Sequence, residues 1–382
     1  MKILLDPQIY DQQQYGGISR YYTELFSILS QKNIKVIIPF YSTTNVYYGQ
    51  SVLVSFQQKL YSLYLRFLIK FRIRYKEDTI ARNKKYLIKT IISQQYDLFI
   101  PTYYNPYFVK DIGSKPFVLT VYDMIHELFP EYFKNDSLNV VENKMYLMEK
   151  ATRIIAVSEN TKQDIIKIYP HIDNAKIDVV YHGCSIKITG DKEIEFLPEN
   201  YILFVGTRAN YKNFNYLVTS IAEIFKNNPD LYLICAGGGE FEKEENELIS
   251  SLKIENQIIQ RSFEEDELGF FYKKAQCFVF PSKYEGFGIP VLESMACGCP
   301  VVLANHSAFP EVAGNAGVYF ELNNSKDLKN KIEMLVQNKS LRDEYSQKGL
   351  IQVEKFSWQK AAEECLAVYK KACCKNHNIN DE

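Results

Sequence analysis

The chain has 382 residues, more than one hydrophobic core usually fills, so two domains of ordinary size are expected. Hydrophobic residues at 46%, charged residues at 24% and a formal net charge of -1 describe a globular protein with no global attraction for nucleic acid, so any charged partner must be met locally. No apolar run has the shape of a signal peptide or the length of a membrane span, and the eight cysteines include no C-x-x-C pair, which points to a cytoplasmic protein with reduced thiols and no zinc site.

Short β-branched or aliphatic runs alternate with longer segments of helical period, the pattern of parallel sheets covered by helices. In the first half the runs predict strands at 2–5, 35–38, 98–101, 117–121, 153–157 and 176–180. The alternation restarts at 201–205 and continues at 231–236, 257–260, 277–280 and 301–303. Between the halves, the polar stretch 185–200 reads as a linker, giving domains at 1–185 and 186–357. A closing amphipathic helix over 358–374 is able to pack on its own domain or to cross back to the first, and the tail beyond it is expected to fray. The stretch 59–89 interleaves lysine and arginine with leucine, isoleucine and phenylalanine. It is either a basic amphipathic helix for an anionic bilayer surface or an ordinary solvated helix face.

Open α/β sheets hold ligands at the carboxyl ends of their strands, so residues just after a strand carry the chemistry. The richest such segment is CFVFPSKYEGFGIPVLESMACGCPVV, 277–302. A strand ends at Pro281, a glycine-bearing loop follows, and a helix begins near Pro290 and stops near Gly298. The amides of Gly286, Phe287, Gly288 and Ile289 lie at that helix start, where an anion such as a diphosphate is favoured. Glu285 and Glu293 flank it. Carboxylates repel phosphate but accept hydrogen bonds from sugar hydroxyls, so both suit a sugar attached to a diphosphate. In FVGTRANYKNF, 204–214, Arg208 and Lys212 put two cations at another strand end. Gly16 and Gly17 open the first long helix with bare backbone. No D-x-D motif and no His/Cys/carboxylate cluster has metal-ligand spacing, so no metal or other cofactor is expected.

The segment PSKYEGFGIPVLESMACGCPVV, with its E-x7-E motif, resembles the signature of the retaining glycosyltransferases of family 4, their mannosyltransferase-like group included. That resemblance implies the α/β GT-B fold: two Rossmann-like, doubly wound parallel-sheet domains facing a central cleft, the first for acceptor and the second for nucleotide sugar. It further implies Glu285 against the donor sugar, Glu293 against the ribose, and Arg208 with Lys212, in an element similar to G-x-R-x-x-x-K-N, neutralising the departing diphosphate. Gly16 and Gly17 would lie against donor phosphates or the acceptor. Where related enzymes read V-H-D, this sequence has Tyr122 before Asp123, so a histidine role at that position is out of play. Asp123 remains a site candidate, and His126 is the candidate substitute. The expected activity is transfer of a hexose from GDP-mannose or a UDP-sugar to a glycan or polyprenyl-linked acceptor in bacterial polysaccharide or lipopolysaccharide assembly, at the inner face of the membrane. A phosphorylase or epimerase on the same fold, or a silent nucleotide-sugar-binding partner protein, are the rivals.

Overall fold

Strands whose residues are apolar on both faces need helices above and below, and that is how this chain folds. The computed structural model describes residues 1–382 apart from 56–57, 61–75, 135–138, 187, 189–196, 209, 265 and 375–382. The chain divides into two units. The first comprises Met1–Val157, Thr161–His182 and Trp358–Glu382, the second Ser158–Asn160 and Gly183–Ser357. Much of the linker stretch, about half of the basic stretch and the tail lie outside the described residues.

In the first unit, strands β1 (Lys2–Leu5), β2 (Lys35–Ile37) and β3 (Leu98–Ile100) pair in parallel in the order β2-β1-β3. Strands β4 (Val118–Val121), β5 (Arg153–Ala156) and β6 (Ile177–Val179) follow in the order β4-β5-β6. A parallel bridge from Phe99 to Phe117 joins the two groups. The helix Gly17–Gln31 buries Tyr21, Tyr22, Leu25, Phe26 and Leu29 along one stripe, the spacing of a core-facing helix. Against it lies the helix Trp358–Cys374, contributed by the far end of the sequence. Phe26 stacks on Tyr369 with ring centroids 6.3 Å apart, Trp358 lies 5.9 Å from Tyr21, and Lys32 pairs with Glu363 at 2.7 Å.

The second unit carries one parallel sheet of β7 (Tyr201–Val205), β8 (Tyr232–Ala236), β9 (Ile258–Arg261), β10 (Cys277–Phe280), β11 (Val301–Ala304) and β12 (Gly317–Phe320). Their order is β12-β11-β10-β7-β8-β9. Counted within the unit this is the doubly wound order 3-2-1-4-5-6, which reverses between β7 and β10. Both of those central strands are wholly buried and pair at Cys277–Ile202 and Phe278–Leu203. The eleven strands expected from sequence each fall within one residue of those observed at either end. The edge strand β12 was not anticipated: its GVYF is short, emerges from a Gly-Asn-Ala turn, and leaves Tyr319 half-exposed.

Tyr369 is fully buried, so Tyr369→Ala should cost about 3–5 kcal/mol, as large-to-small core changes do. Thermal unfolding should move down by on the order of 10 °C, while Ile351→Ala, at an exposed site of the second unit, leaves it unchanged.

Acid response follows from three groups of the first unit, Asp6 and His182 buried and Asp11 half-buried. Burial raises the Asp6 carboxyl to about 6 and Asp11 to about 7, and lowers His182 to about 3. Below pH 7 the folded state takes up protons at the two aspartates before the unfolded chain does, which stabilises it. His182 does the reverse: from pH 6.5 downward the unfolded chain protonates while the folded imidazole stays neutral, and stability is lost. His182→Phe should therefore raise stability at pH 5 relative to pH 7, compared with wild type, in urea titrations at the two pH values. An unchanged difference would contradict the assignment.

Candidate active site

The reversal between β7 and β10 brings the loops after those strands side by side at the carboxyl edge of the second sheet. After β7 the chain makes a short 3-10 turn, Asn210–Lys212, passes through Asn213 at a φ of 61°, and enters the helix Phe214–Asn227. After β10 comes the loop that carries Glu285. The backbone N–H of Lys283 donates to the Tyr211 carbonyl at 2.8 Å, tying the loops together. Lys212 Nζ then meets Glu285 Oε1 at 2.6 Å, with both side chains largely buried. The ammonium also lies 4.9 Å from the centre of the Phe280 ring and 5.0 Å from that of Tyr211, an environment that favours a cation.

Glu285 is fixed through its backbone. Its N–H donates to Ser307 Oγ at 2.9 Å, and the Ser307 hydroxyl donates back to the Glu285 carbonyl at 2.5 Å. Three residues on, Gly288 sits at a φ of 95°, with a Cβ there only 3.4 Å from the Phe309 ring and from Val291. Glycine is needed at that φ. The helix Ile289–Ala296 starts at once, with Pro290 in its first turn, and Gly298 follows its end at a φ of 71°, as the sequence indicated. Phe287 turns its ring into the unit against Phe356, with centroids 5.9 Å apart, so only its backbone is a ligand candidate. Glu293 is buried and accepts from the Tyr272 hydroxyl at 3.4 Å. Burial first, and the Glu293 charge next, hold that phenol well above its ordinary ionisation range.

Arg208, at the same strand end, is held by its own chain. Its Nε donates to Glu245 Oε1 at 2.8 Å, and its Nη atoms donate to the carbonyls of Gly237 at 3.3 Å, Gly239 at 3.0 Å and Glu240 at 2.7 Å. Lys212, four positions along, joins Glu285 instead.

In the first unit, the helix start at Gly16 and Gly17 is occupied from within. Gln13 Oε1 accepts from the Ser19 N–H at 3.1 Å, and a Cβ on Gly16 would fall 2.2 Å from that oxygen. The glycine thus makes room for a carboxamide that caps the Ser19 amide. Asp123 Oδ1 accepts from the Ile125 N–H at 3.1 Å, and the His126 ring lies tilted against Phe133 with centroids 4.0 Å apart. Beneath them is a group the sequence reading missed: Lys144, fully buried, whose Nζ donates to Glu127 Oε2 at 2.9 Å and to the Asp123 carbonyl at 3.0 Å. Its signal was a lysine on the apolar stripe of Val140, Leu147 and Met148. Tyr272, Ser307 and Glu245 were missed as well, since their partners are distant in sequence.

Two Rossmann-like units, the second with its cation, carboxylate and helix amides at the reversal of strand order, make this a glycosyltransferase of the GT-B fold. The chain belongs to glycosyltransferase family 4. Residues 15–187 match the profile described as Glycosyltransferase Family 4, and residues 185–373 that described as Glycosyl transferases group 1. The O-antigen chain mannosyltransferase B of Escherichia coli is 29% identical over 281 residues, 70% of this chain and 74% of that protein. A Campylobacter jejuni N-acetylgalactosamine-N,N'-diacetylbacillosaminyl-diphospho-undecaprenol 4-alpha-N-acetylgalactosaminyltransferase is 28% identical over 243 residues, 62% of this chain and 65% of that one. In fold, the chain matches sucrose-phosphate synthase from Thermosynechococcus elongatus with a TM-score of 0.71 at 17% identity, covering 97% of this chain and 98% of the other. It matches Anabaena HepE, solved with UDP and glucose, with a TM-score of 0.68 at 19% identity, covering 96% and 98%.

Lys144→Met should cost about 3–5 kcal/mol, because the nearly buried Glu127 carboxylate loses its partner. Lys144→Met with Glu127→Leu should recover at least half of that loss in denaturant titrations, since a matched apolar pair replaces the ions.

Proposed function

We propose that the chain is a retaining, metal-independent hexosyltransferase whose donor, GDP-mannose or a UDP-sugar, binds in the second unit at the reversal between β7 and β10. Its acceptor, a glycan or polyprenyl-linked sugar, binds in the first. The observation that carries this reading is the Lys212–Glu285 pair at 2.6 Å, set beside the amides that open the helix Ile289–Ala296. A cation and a row of N–H dipoles suit a diphosphate, and a carboxylate beside them suits the hydroxyls of the attached pyranose.

In the proposed reaction, the bond from the anomeric carbon to the phosphate oxygen breaks as the acceptor oxygen bonds to that carbon on the same face. The acceptor proton passes to the departing phosphate oxygen. Lys212 and the amides of Gly286 to Ile289 stabilise the charge that grows on the diphosphate, Glu285 orients the sugar, and Glu293 takes the ribose. In this reading Asp123 is a catalytic residue and His126 a donor-binding one. Positive charge thus comes from the protein, and among the described residues no three His, Cys, Asp or Glu side chains gather as a metal set would.

The proposed setting is the cytoplasmic face of the membrane, reached peripherally. No helix among the described residues is long and apolar enough to cross a bilayer. In the described part of the basic stretch, Arg82, Lys85 and Lys89 are exposed on the helix Lys76–Ile92.

The decisive assay incubates the protein with a panel of GDP- and UDP-sugars and a lipid-linked or free glycan acceptor, with and without EDTA. Expected are release of nucleoside diphosphate and, by NMR, a glycosidic bond of the donor's own anomeric configuration in both conditions. Glu285→Gln should lower turnover by about 10²-fold or more, as loss of a group aimed at the reacting centre does, with nucleotide affinity little changed. Lys212→Ala should weaken both. An inverted product would remove the retaining mechanism, and full turnover in Glu285→Gln would remove that residue's role. Sugar 1-phosphate formed with inorganic phosphate would point to a phosphorylase instead.

A further inference from the structure

Arg208 stands in the loop that delivers Lys212, yet its guanidinium is bound by Glu245 and by the turn that follows β8. Its side chain is only 4% exposed. Of its N–H donors, Nε is taken by Glu245, Nη1 donates to the Gly237 carbonyl and Nη2 to those of Gly239 and Glu240, while Phe241 lies under the guanidinium at 4.8 Å. The turn after β8 is shaped for this. Gly237, Gly238 and Gly239 have φ values of 82°, 74° and 75°, a left-handed run that side chains disfavour and that points successive carbonyls at one cation. The same turn presses on the start of the loop after β7, where a Cβ on Gly238 would lie 2.6 Å from the Gly206 carbonyl oxygen.

Glu245 is committed on both oxygens. Oε1 accepts from Arg208, and Oε2 accepts from the Glu242 N–H at 2.7 Å, closing the capping box of the helix Lys243–Leu252. A diphosphate approaching Arg208 would have to displace a carboxylate and several carbonyls that already satisfy it. The loop Gly206–Lys212 is thereby anchored at its middle by Arg208 and at its end by the bond from Lys283 to Tyr211.

We infer that Arg208 is a positioning residue: by clamping the Gly237–Glu240 turn and Glu245 it fixes the Gly206–Lys212 loop and sets where the Lys212 ammonium stands, without meeting the diphosphate. This rests on the proposed nucleotide site. A residue acting through Lys212 loses its influence once Lys212 is gone, and that separates it from a direct phosphate contact.

The experiment measures affinity for UDP and GDP by calorimetry in wild type, Arg208→Met, Lys212→Ala, the double variant and Glu245→Gln, with melting temperatures alongside. Arg208→Met should weaken the nucleotide that binds wild type by about tenfold, the scale of one misplaced charge-assisted contact. Added to Lys212→Ala, it should cost less than about a further twofold. A second full loss in the double variant would overturn the inference, since a direct contact adds independently of Lys212. If Arg208→Met does not fold, Glu245→Gln decides. It should weaken binding, because the anchor is loosened, whereas tighter binding on removal of a nearby negative charge would mean that Arg208 reaches the anion. A wild-type protein that binds neither nucleotide would defeat the proposed function itself, and the inference with it.

Discussion

The second unit is organised around a contact between opposite charges that neither loop could support alone. Lys212 and Glu285 come from the two strands between which the sheet reverses its order, and they meet at 2.6 Å in a largely buried setting. Removing either partner would strand the other away from water, which is far more costly than the pair's net contribution to stability. The backbone around them is constrained accordingly. The register of β10 against β7, the bond from Lys283 to Tyr211 and the reciprocal bonds of Ser307 with Glu285 all fix the distance between two short loops. An anion entering here meets a cation whose position is already set, so little reorganisation accompanies binding.

The first unit treats its polar groups differently. Its candidates at strand ends are engaged in local structure: Gln13 caps the first long helix, Asp123 caps a short one, and Lys144 is held below them by Glu127.

What the sequence disclosed, and what it withheld, follows from the range of the interactions. Strands of a doubly wound sheet are apolar throughout, so β1 to β11 stood out by alternation with helical segments, whereas β12 is a four-residue edge strand with a half-exposed tyrosine. Pro290 and Gly298 marked the ends of their helix because such residues act through their own backbone. The loops after β7 and β10 were legible as a site for the same reason: glycines, cations and carboxylates fall at strand ends within one contiguous segment each. The partners of Arg208 were not legible because they lie 29 to 37 positions away, and nothing local distinguishes a guanidinium that binds a ligand from one that binds its own chain. Lys144 left a trace, a cation on an apolar helical stripe, but its partner Glu127 comes from another element.

The helix Trp358–Cys374 completes the first unit although the whole second unit lies between them in the chain. On the ribosome, Tyr21, Phe26 and their neighbours therefore emerge long before the surface that covers them is translated. Synthesis at 5–20 residues per second, roughly, separates the two by some tens of seconds. The earlier-made sheet thus waits for its covering helix until the second unit has been translated.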